Sequence, residues 1–430
     1  MRIAYVDMRT YRRLVVILLS LVVVSACSGG SDDNETLTQF DEHLKTGDLS
    51  IAIVGDYFHH SYVLELVHVA RALSPHARQF YVCTEKYERA LDPFLAANDV
   101  QNVEYRTLEP SSPILTQWAR DIAIAGTADG KTTIVVSPDK HANSKRDAEA
   151  IGDLLRDIFP EYAVHIAPFV FESGNMVFVR SGGDRVLIVG RKILFDNSTY
   201  QRQAWTRGYT EASLLGAMAE TFAVDRVLVV GRALAPPDTR MYFEYHIDMG
   251  MAVLGGGRAV VSRLEFGENE RTALASAIDA RHPVVTPFVG LDPERLLATL
   301  STRLGTVAME YEDYATLLDS LGVEVYRSPV GWQHVLGSMS WTNVVQVGER
   351  ILMPLYPDSL LGITKFVASA GGQMRITLDV SDIGEEKFEL RDLNQRNRQL
   401  YQSLGYEVVT VPEYLHYMMG GIHCFVNVLE

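Results

Sequence analysis

The sequence predicts an α/β fold built on mixed sheets rather than on one parallel sheet. Three observations predict it: short β-rich runs recur along the chain, helical patterns lie between many of them, and some neighbouring runs are joined by glycine-containing turns that read as hairpins. Hairpins are antiparallel and helical crossovers are parallel, so the two together demand both kinds of pairing. With 430 residues, 47% of them hydrophobic, the chain can bury a large core, which excludes disorder for most of its length.

Taken in order, residues 49–55 read as a buried strand, and apolar residues at 62, 63, 64, 66, 67, 69, 70 and 73 predict a helix over 62–73. Residues 79–83 are an apolar, strand-like run. Further strands are predicted over 132–137, 164–171, 175–180, 185–189, 226–230, 252–262, 323–327, 343–347, 350–355 and 407–411. Helical spacing places helices over 145–158, 202–222, 268–279, 292–304, 311–321 and 390–404. Ser181-Gly182-Gly183-Asp184 and Gly255-Gly256-Gly257 supply the hairpin turns. No glycine-rich loop joins a strand to a helix in the manner of a phosphate cradle, so nucleotide binding finds no support. The polar stretch 379–398 reads as part of an insertion, about 357–400, within a single domain over 48–430.

The N-terminus carries Arg2, Arg9, Arg12 and Arg13, then an apolar run from Leu14 to Val24, then Ser25-Ala26-Cys27. That order reads as a secretory signal over 1–26, too short to span a bilayer with proper flanks. Val24-Ser25-Ala26-Cys27 resembles the lipobox of bacterial lipoproteins, which implies lipidation of Cys27 and anchoring of the protein to a bacterial membrane in the cell envelope. An ordinary signal peptide with a coincidental cysteine is the alternative. Residues 28–35 are polar and rich in Gly and Ser, so 27–47 is expected to be a flexible tether.

The net charge is −15, and it becomes about −18 without the four Arg and one Asp of residues 1–26. This argues against nucleic acid as a partner and is compatible with a cationic substrate. Beyond Cys27 only Cys83 and Cys424 remain, and both are expected to be free thiols, Cys83 as a buried small hydrophobe.

Four segments set titratable residues beside apolar ones: Trp118-Ala119-Arg120-Asp121, Phe171-Glu172-Ser173-Gly174-Asn175, Tyr245-His246-Ile247-Asp248 and Gly420-Gly421-Ile422-His423-Cys424. Each has a bland reading. His246 and Asp248 could be a satisfied histidine and its carboxylate, Glu172 a turn residue, Asp121 a local partner of Arg120, and Trp118 plain core. Cys424 follows a glycine pair that permits close approach to the backbone, and with histidine and carboxylates elsewhere it is a candidate nucleophile; taken alone, its default reading is a structural thiol.

In order and context these segments resemble the guanidine-modifying enzymes of the pentein superfamily, in particular agmatine deiminases and bacterial peptidyl-arginine deiminases. Those enzymes carry a tryptophan-x-arginine-aspartate segment, a glutamate-glycine-glycine segment, a histidine-x-aspartate pair and a terminal glycine-x-histidine-cysteine. Trp341-Thr342-Asn343-Val344 and Leu352-Met353-Pro354-Leu355-Tyr356 extend the likeness over residues 50–430. Ser173 departs from it by replacing the first glycine, and the aspartate-glycine that closes the usual hairpin is missing from residues 177–183.

The resemblance implies an α/β propeller of five pseudo-symmetric ββαβ modules around a central site. It implies Cys424 as nucleophile, His246 as acid and base, Glu172 orienting His246, and Asp121 and Asp248 binding the guanidinium. Trp118 would pack on the substrate and Asn343 would hydrogen-bond near the nucleophile. The implied reaction converts the guanidinium of agmatine, arginine or peptidyl arginine into a ureido group and ammonia, with neither metal nor cofactor. The alternatives are an amidinotransferase and a non-catalytic lipoprotein that binds arginine-like ligands.

Overall fold

In each three-stranded unit of this chain a hairpin is followed by a helical crossover that returns a third strand parallel to the second. The computed structural model describes residues 41–42, 49–53, 68–74, 78–108, 119–128, 131–138, 145–199, 209–231, 246–281, 285, 292–336, 339–356, 364–368, 374–378, 392–412 and 422–428. All of them fall in the unit Thr36–Glu430. The signal segment and Cys27 lie outside the described residues.

The chain forms β1 (Asp41–Glu42) and β2 (Leu49–Ile53), passes through helical residues 68–73 to β3 (Arg78–Thr84), and reaches β4 (Val103–Leu108) after the helix Glu85–Ala97. β2, β3 and β4 run parallel. Then β5 (Ala123–Ala128) and β6 (Lys131–Val136) pair antiparallel, and the helix Lys145–Ile158 carries the chain to β7 (Ala163–Ile166), parallel to β6. β1, which falls inside the stretch expected to be tether, pairs with β5. A sheet edge offers unpaired backbone groups that even a polar segment can satisfy.

The same grammar recurs. β8 (Met176–Ser181) and β9 (Asp184–Gly190) form a hairpin, and β10 (Arg226–Val230) lies parallel to β9. Gly182 and Gly183 close that hairpin at φ of +60° and +102°, a backbone that only glycine adopts cheaply. β11 (Met251–Leu254) and β12 (Arg258–Leu264) pair across the three glycines, with β13 (Glu324–Val330) parallel to β12. β14 (Val345–Val347) and β15 (Arg350–Leu355) follow. A separate hairpin of β16 (Thr364–Ala368) and β17 (Met374–Leu378) precedes the helix Asp392–Ser403 and β18 (Glu407–Pro412), parallel to β15. That hairpin sits within the expected insertion. Finally β19 (Val426–Val428) pairs antiparallel with β2.

The fold is therefore five ββαβ units, the fifth assembled from both ends of the described chain as β19, β2, the helical residues 68–73 and β3. Buried side chains of the β8, β11 and β14 units form a shared core, in which Ile188, Val260, Tyr314, Ile351 and Tyr401 pack together. The sequence predicts two helices over 292–304 and 311–321, and the structure has one, Pro293–Ser320. Gly305 lowers helix propensity by only about 1 kcal/mol, and the buried stripe from Leu296 to Leu318 outweighs it. Of the helix expected over 202–222, residues 202–208 lie outside the described residues, and a helix runs over Glu211–Thr221, where the Thr210 side chain caps it by accepting from the Ser213 amide.

Candidate active site

The five hairpins put the candidate residues in equivalent places, because each lies in the short segment that leads into the first strand of a unit. Asp121 is in the helical turn Ala119–Ile122 before β5; Glu172 caps the turn Ser173–Asn175 before β8; His246 and Asp248 bracket the start of the turn Ile247–Met249 before β11. Asn343 lies two residues before β14, and Cys424 is in the turn Ile422–Phe425 before β19. Residues scattered over three hundred positions thus become neighbours.

Hydrogen bonds stitch one turn to the next. The Ser173 hydroxyl donates to the carbonyl of Arg120, tying the β8 unit to the β5 unit, and Ser173 is fully buried. This gives a physical use for a serine where the resembled family has glycine. Ser340 donates to the Met249 carbonyl at 2.5 Å and Thr342 donates to the Asp248 carbonyl at 3.2 Å, tying the β14 unit to the β11 unit. Asn343 Oδ1 accepts the His423 amide at 2.9 Å, which fixes the backbone beside Cys424.

Glu172 and His246 meet across two units, Oε2 to Nε2, at 3.0 Å. A carboxylate only accepts, so Nε2 carries the proton and Nδ1 the lone pair in the neutral ring. The approach to Glu172 is held firmly: Asn197 brackets the Val170 backbone, accepting its amide at 3.0 Å and donating to its carbonyl at 2.8 Å, and Ser137 Oγ accepts the Phe171 amide at 2.9 Å. Phe169 and Phe171 pack edge-on against Phe222. Gly174 lets the imidazole come close, since a Cβ there would stand 2.5 Å from His246 Nδ1. Lys192 Nζ also reaches Glu172 Oε2, at 2.7 Å, and Asp196 Oδ2, at 2.6 Å.

Asp248 is 3% exposed, and its Oδ2 accepts from His423 Nδ1 at 2.9 Å. Its Oδ1 is buried with no hydrogen-bond partner among the described residues. Burial alone would disfavour the carboxylate, but the hydrogen bond and electrostatic pull of His423, joined by His246 and then Arg120, reverse this and hold the carboxyl below its ordinary range. His423 stays neutral: burial, reinforced by the Arg120 guanidinium, lowers its pKa to about 4 against the opposing pull of Asp248.

Solved structures share this architecture. A C. jejuni agmatine deiminase is similar at 12% identity, with 91% of this chain and 95% of that one covered and a TM-score of 0.57. A putative agmatine deiminase is similar at 13% identity, covering 90% and 94%, with a TM-score of 0.58. The chain has the pentein fold. An agmatine deiminase of Enterococcus faecalis is similar at 11% identity, covering 90% and 94%, with a TM-score of 0.51. No protein-family model matches the sequence, and no curated protein matches it.

Of the residues singled out from the sequence, the pentein scaffold brings Glu172 to His246, and Asp248 and Asn343 to the segment that bears Cys424. Asp121 and Cys424 are placed by their backbone turns, while their side chains, and Trp118 entirely, lie outside the described residues. Three participants carried no assigned role in the sequence: His423, Lys192 and Ser173. His423 could have been found as the neighbour of the candidate nucleophile. Lys192 could not, because a lysine four residues before an aspartate reads as an ordinary surface pair on a helix. Among the described residues, no three His, Cys, Asp or Glu side chains converge as a metal ion would require.

Proposed function

We propose that this chain is a cysteine-dependent hydrolase of guanidinium groups, acting on agmatine or on free or peptidyl arginine. The observation that carries the reading is Asp248. One of its oxygens is held by His423, and the other is buried without a hydrogen-bond partner among the described residues, beside the Glu172–His246 pair and the turn that bears Cys424. An unpaired buried carboxylate oxygen is costly unless a donor arrives, and a guanidinium brings planar N–H donors together with the charge that balances it. The fold shared with agmatine deiminase structures supports the same reading.

In this mechanism Asp248 and Asp121 hold the guanidinium, and the Cys424 thiolate forms a C–S bond to its central carbon. The bound cation stabilises that thiolate. The tetrahedral adduct breaks a C–N bond as His246 gives a proton to the departing nitrogen, which leaves as ammonia and a covalent amidino-thioether. Water then attacks the same carbon while His246 takes its proton. The C–S bond breaks, and the thiolate and a ureido product are released. Overall, a guanidinium and water become a urea and ammonium. Glu172 keeps the imidazole in one tautomer throughout. Asn343 Oδ1 holds the backbone beside the nucleophile.

A colorimetric screen for ureido products from agmatine, arginine and arginine peptides tests the proposal, with Cys424→Ala as control. Ureido product from the wild type and none from the variant is the expected result. Equal signal from the variant would remove Cys424 from the mechanism. Binding of these compounds with no ureido product and no amidino transfer to an added amine would favour the non-catalytic reading. We further propose export and lipidation at Cys27, which acyl labelling of wild type against Cys27→Ala in a bacterial host would check.

A further inference from the structure

We infer that Lys192 is a positioning residue that sets the proton affinity of His246 through Glu172. The inference rests on the deiminase reading of this site. Lys192 Nζ lies 2.7 Å from the same Glu172 oxygen that meets His246 Nε2 at 3.0 Å, and 2.6 Å from Asp196 Oδ2. The Lys192, Glu172 and Asp196 side chains are 13%, 7% and 11% exposed, so water screens these contacts weakly. The result is a buried relay, Asp196–Lys192–Glu172–His246, in which negative and positive charges alternate up to the imidazole.

The local fold explains how the lysine gets there. β9 ends at Gly190, the Arg191 amide bonds to the Val230 carbonyl of β10, and the helix Lys192–Thr199 starts at once, aiming its first side chain toward Glu172 and placing Asp196 one turn on. Contact with the oxygen that His246 uses has two consequences. Two donors fix the orientation of one carboxylate oxygen, and the ammonium offsets the charge that would otherwise favour the protonated imidazole.

That balance matters because His246 must release a proton in one half of the reaction and accept one in the other. A lone buried carboxylate would bias the ring toward imidazolium and leave it a poor base for water attack. Among the described residues, the charged and titratable groups facing His246 are Glu172 with Lys192 and Asp196 behind it, Asp248 on its own turn, and His423 from the β19 unit; Arg120 from the β5 unit acts on Asp248 and His423. Within this set, Lys192 brings a full positive charge onto the oxygen that His246 uses.

The test is an NMR titration of protein labelled with 15N-histidine, the His246 signals being assigned by their loss in His246→Asn. Lys192→Met is expected to raise the His246 titration midpoint by about one pH unit, and Lys192→Arg, which keeps the charge, to leave it near wild type. Asp196→Asn strengthens the ammonium's hold on Glu172 and is expected to lower the midpoint, which decides the matter if Lys192→Met does not fold. With the accepted guanidino substrate, Lys192→Met is expected to reduce kcat about tenfold at unchanged KM. In a Glu172→Gln background it should have no further effect. A midpoint indifferent to Lys192→Met, or shifted equally without Glu172, would overturn the inference. The titration needs no turnover, so it reads the coupling of Lys192 to His246 even if Cys424→Ala shows the deiminase reading to be wrong.

Discussion

Gly174→Ala converts the packing of this site into a measurable loss. A Cβ at Gly174 would stand 2.5 Å from His246 Nδ1, 2.8 Å from its Cγ and 3.1 Å from its Cβ. An ordinary contact begins near 3.4 Å, so the ring must retreat by about 0.9 Å. Gly174 does not have a positive φ, so alanine adds no backbone strain and the whole effect is steric. A displacement of that size disturbs the 3.0 Å contact with Glu172, and misplacing a catalytic group by about 1 Å lowers turnover roughly 100-fold. Overpacking of this kind costs about 1–3 kcal/mol, which leaves the protein folded but less stable. Steady-state kinetics on whichever guanidino substrate is accepted should show the loss in kcat, while calorimetry shows near-normal substrate binding because the Asp248 carboxylate is untouched. A folded Gly174→Ala enzyme within threefold of wild-type kcat would refute the claim that the Glu172–His246 contact is catalytic.

Asp248→Asn removes the charge opposite the guanidinium and is expected to weaken substrate binding by about 2–3 kcal/mol, roughly 50-fold, as read by calorimetry on a Cys424→Ala background. Unchanged affinity would exclude Asp248 from the binding site. The His423 pKa, lowered from 6.5 to about 4 by burial and Arg120, predicts the acid behaviour of the fold. Between those values the unfolded chain binds a proton that the folded chain does not, so stability falls as pH falls through this window, by about 3 kcal/mol in full. Asp248 has the depressed value usual for a paired carboxylate; its contribution is present above the ordinary carboxylate range and lost only below it. Urea midpoints at pH 7 and pH 4.5 should therefore differ in wild type and differ less in His423→Gln. Identical slopes in the two proteins would show that His423 is not buried neutral. Asn343→Ala strands the His423 amide and is expected to cost about 1–3 kcal/mol in the same assay.

Much of this molecule is legible in its sequence because the signals are local. The strands over 185–189, 226–230 and 350–355 and the helices over 145–158 and 268–279 all appear close to where alternation and helical spacing place them. The glycine turns at 182–183 and 255–257 mark their hairpins because a positive φ has a residue-type signature. Other elements escape for physical reasons. The helix Lys192–Thr199 is short, with little apolar periodicity, and it forms because Asn197 and the β9–β10 connection hold it. β5 reads Ala-Ile-Ala-Gly-Thr-Ala, a run of mostly small residues with only Ile124 and Thr127 of the types that announce a strand, and the register against β6 decides it. The hairpin β16–β17 lies within the expected insertion, just before its polar stretch, and its two short runs are not read as strands from the sequence.

By itself the sequence determined the α/β class, the mixed strand pairing, the place of many strands and helices, and the residue types that the proposed chemistry needs: a thiol, a histidine and carboxylates in short segments. Those follow from the nearest-neighbour physics of backbone and side chain. Only the tertiary structure decided which groups share an atom. That Glu172 Oε2 serves both His246 and Lys192, that His423 occupies one oxygen of Asp248 and leaves the other without a partner among the described residues, and that Ser173 bonds to the Arg120 carbonyl are facts about segments separated by 20 to 175 residues. No local propensity encodes such distances. They are set by the cyclic repetition of five ββαβ units, which turns five strand entrances inward on one another and closes when β19 pairs with β2.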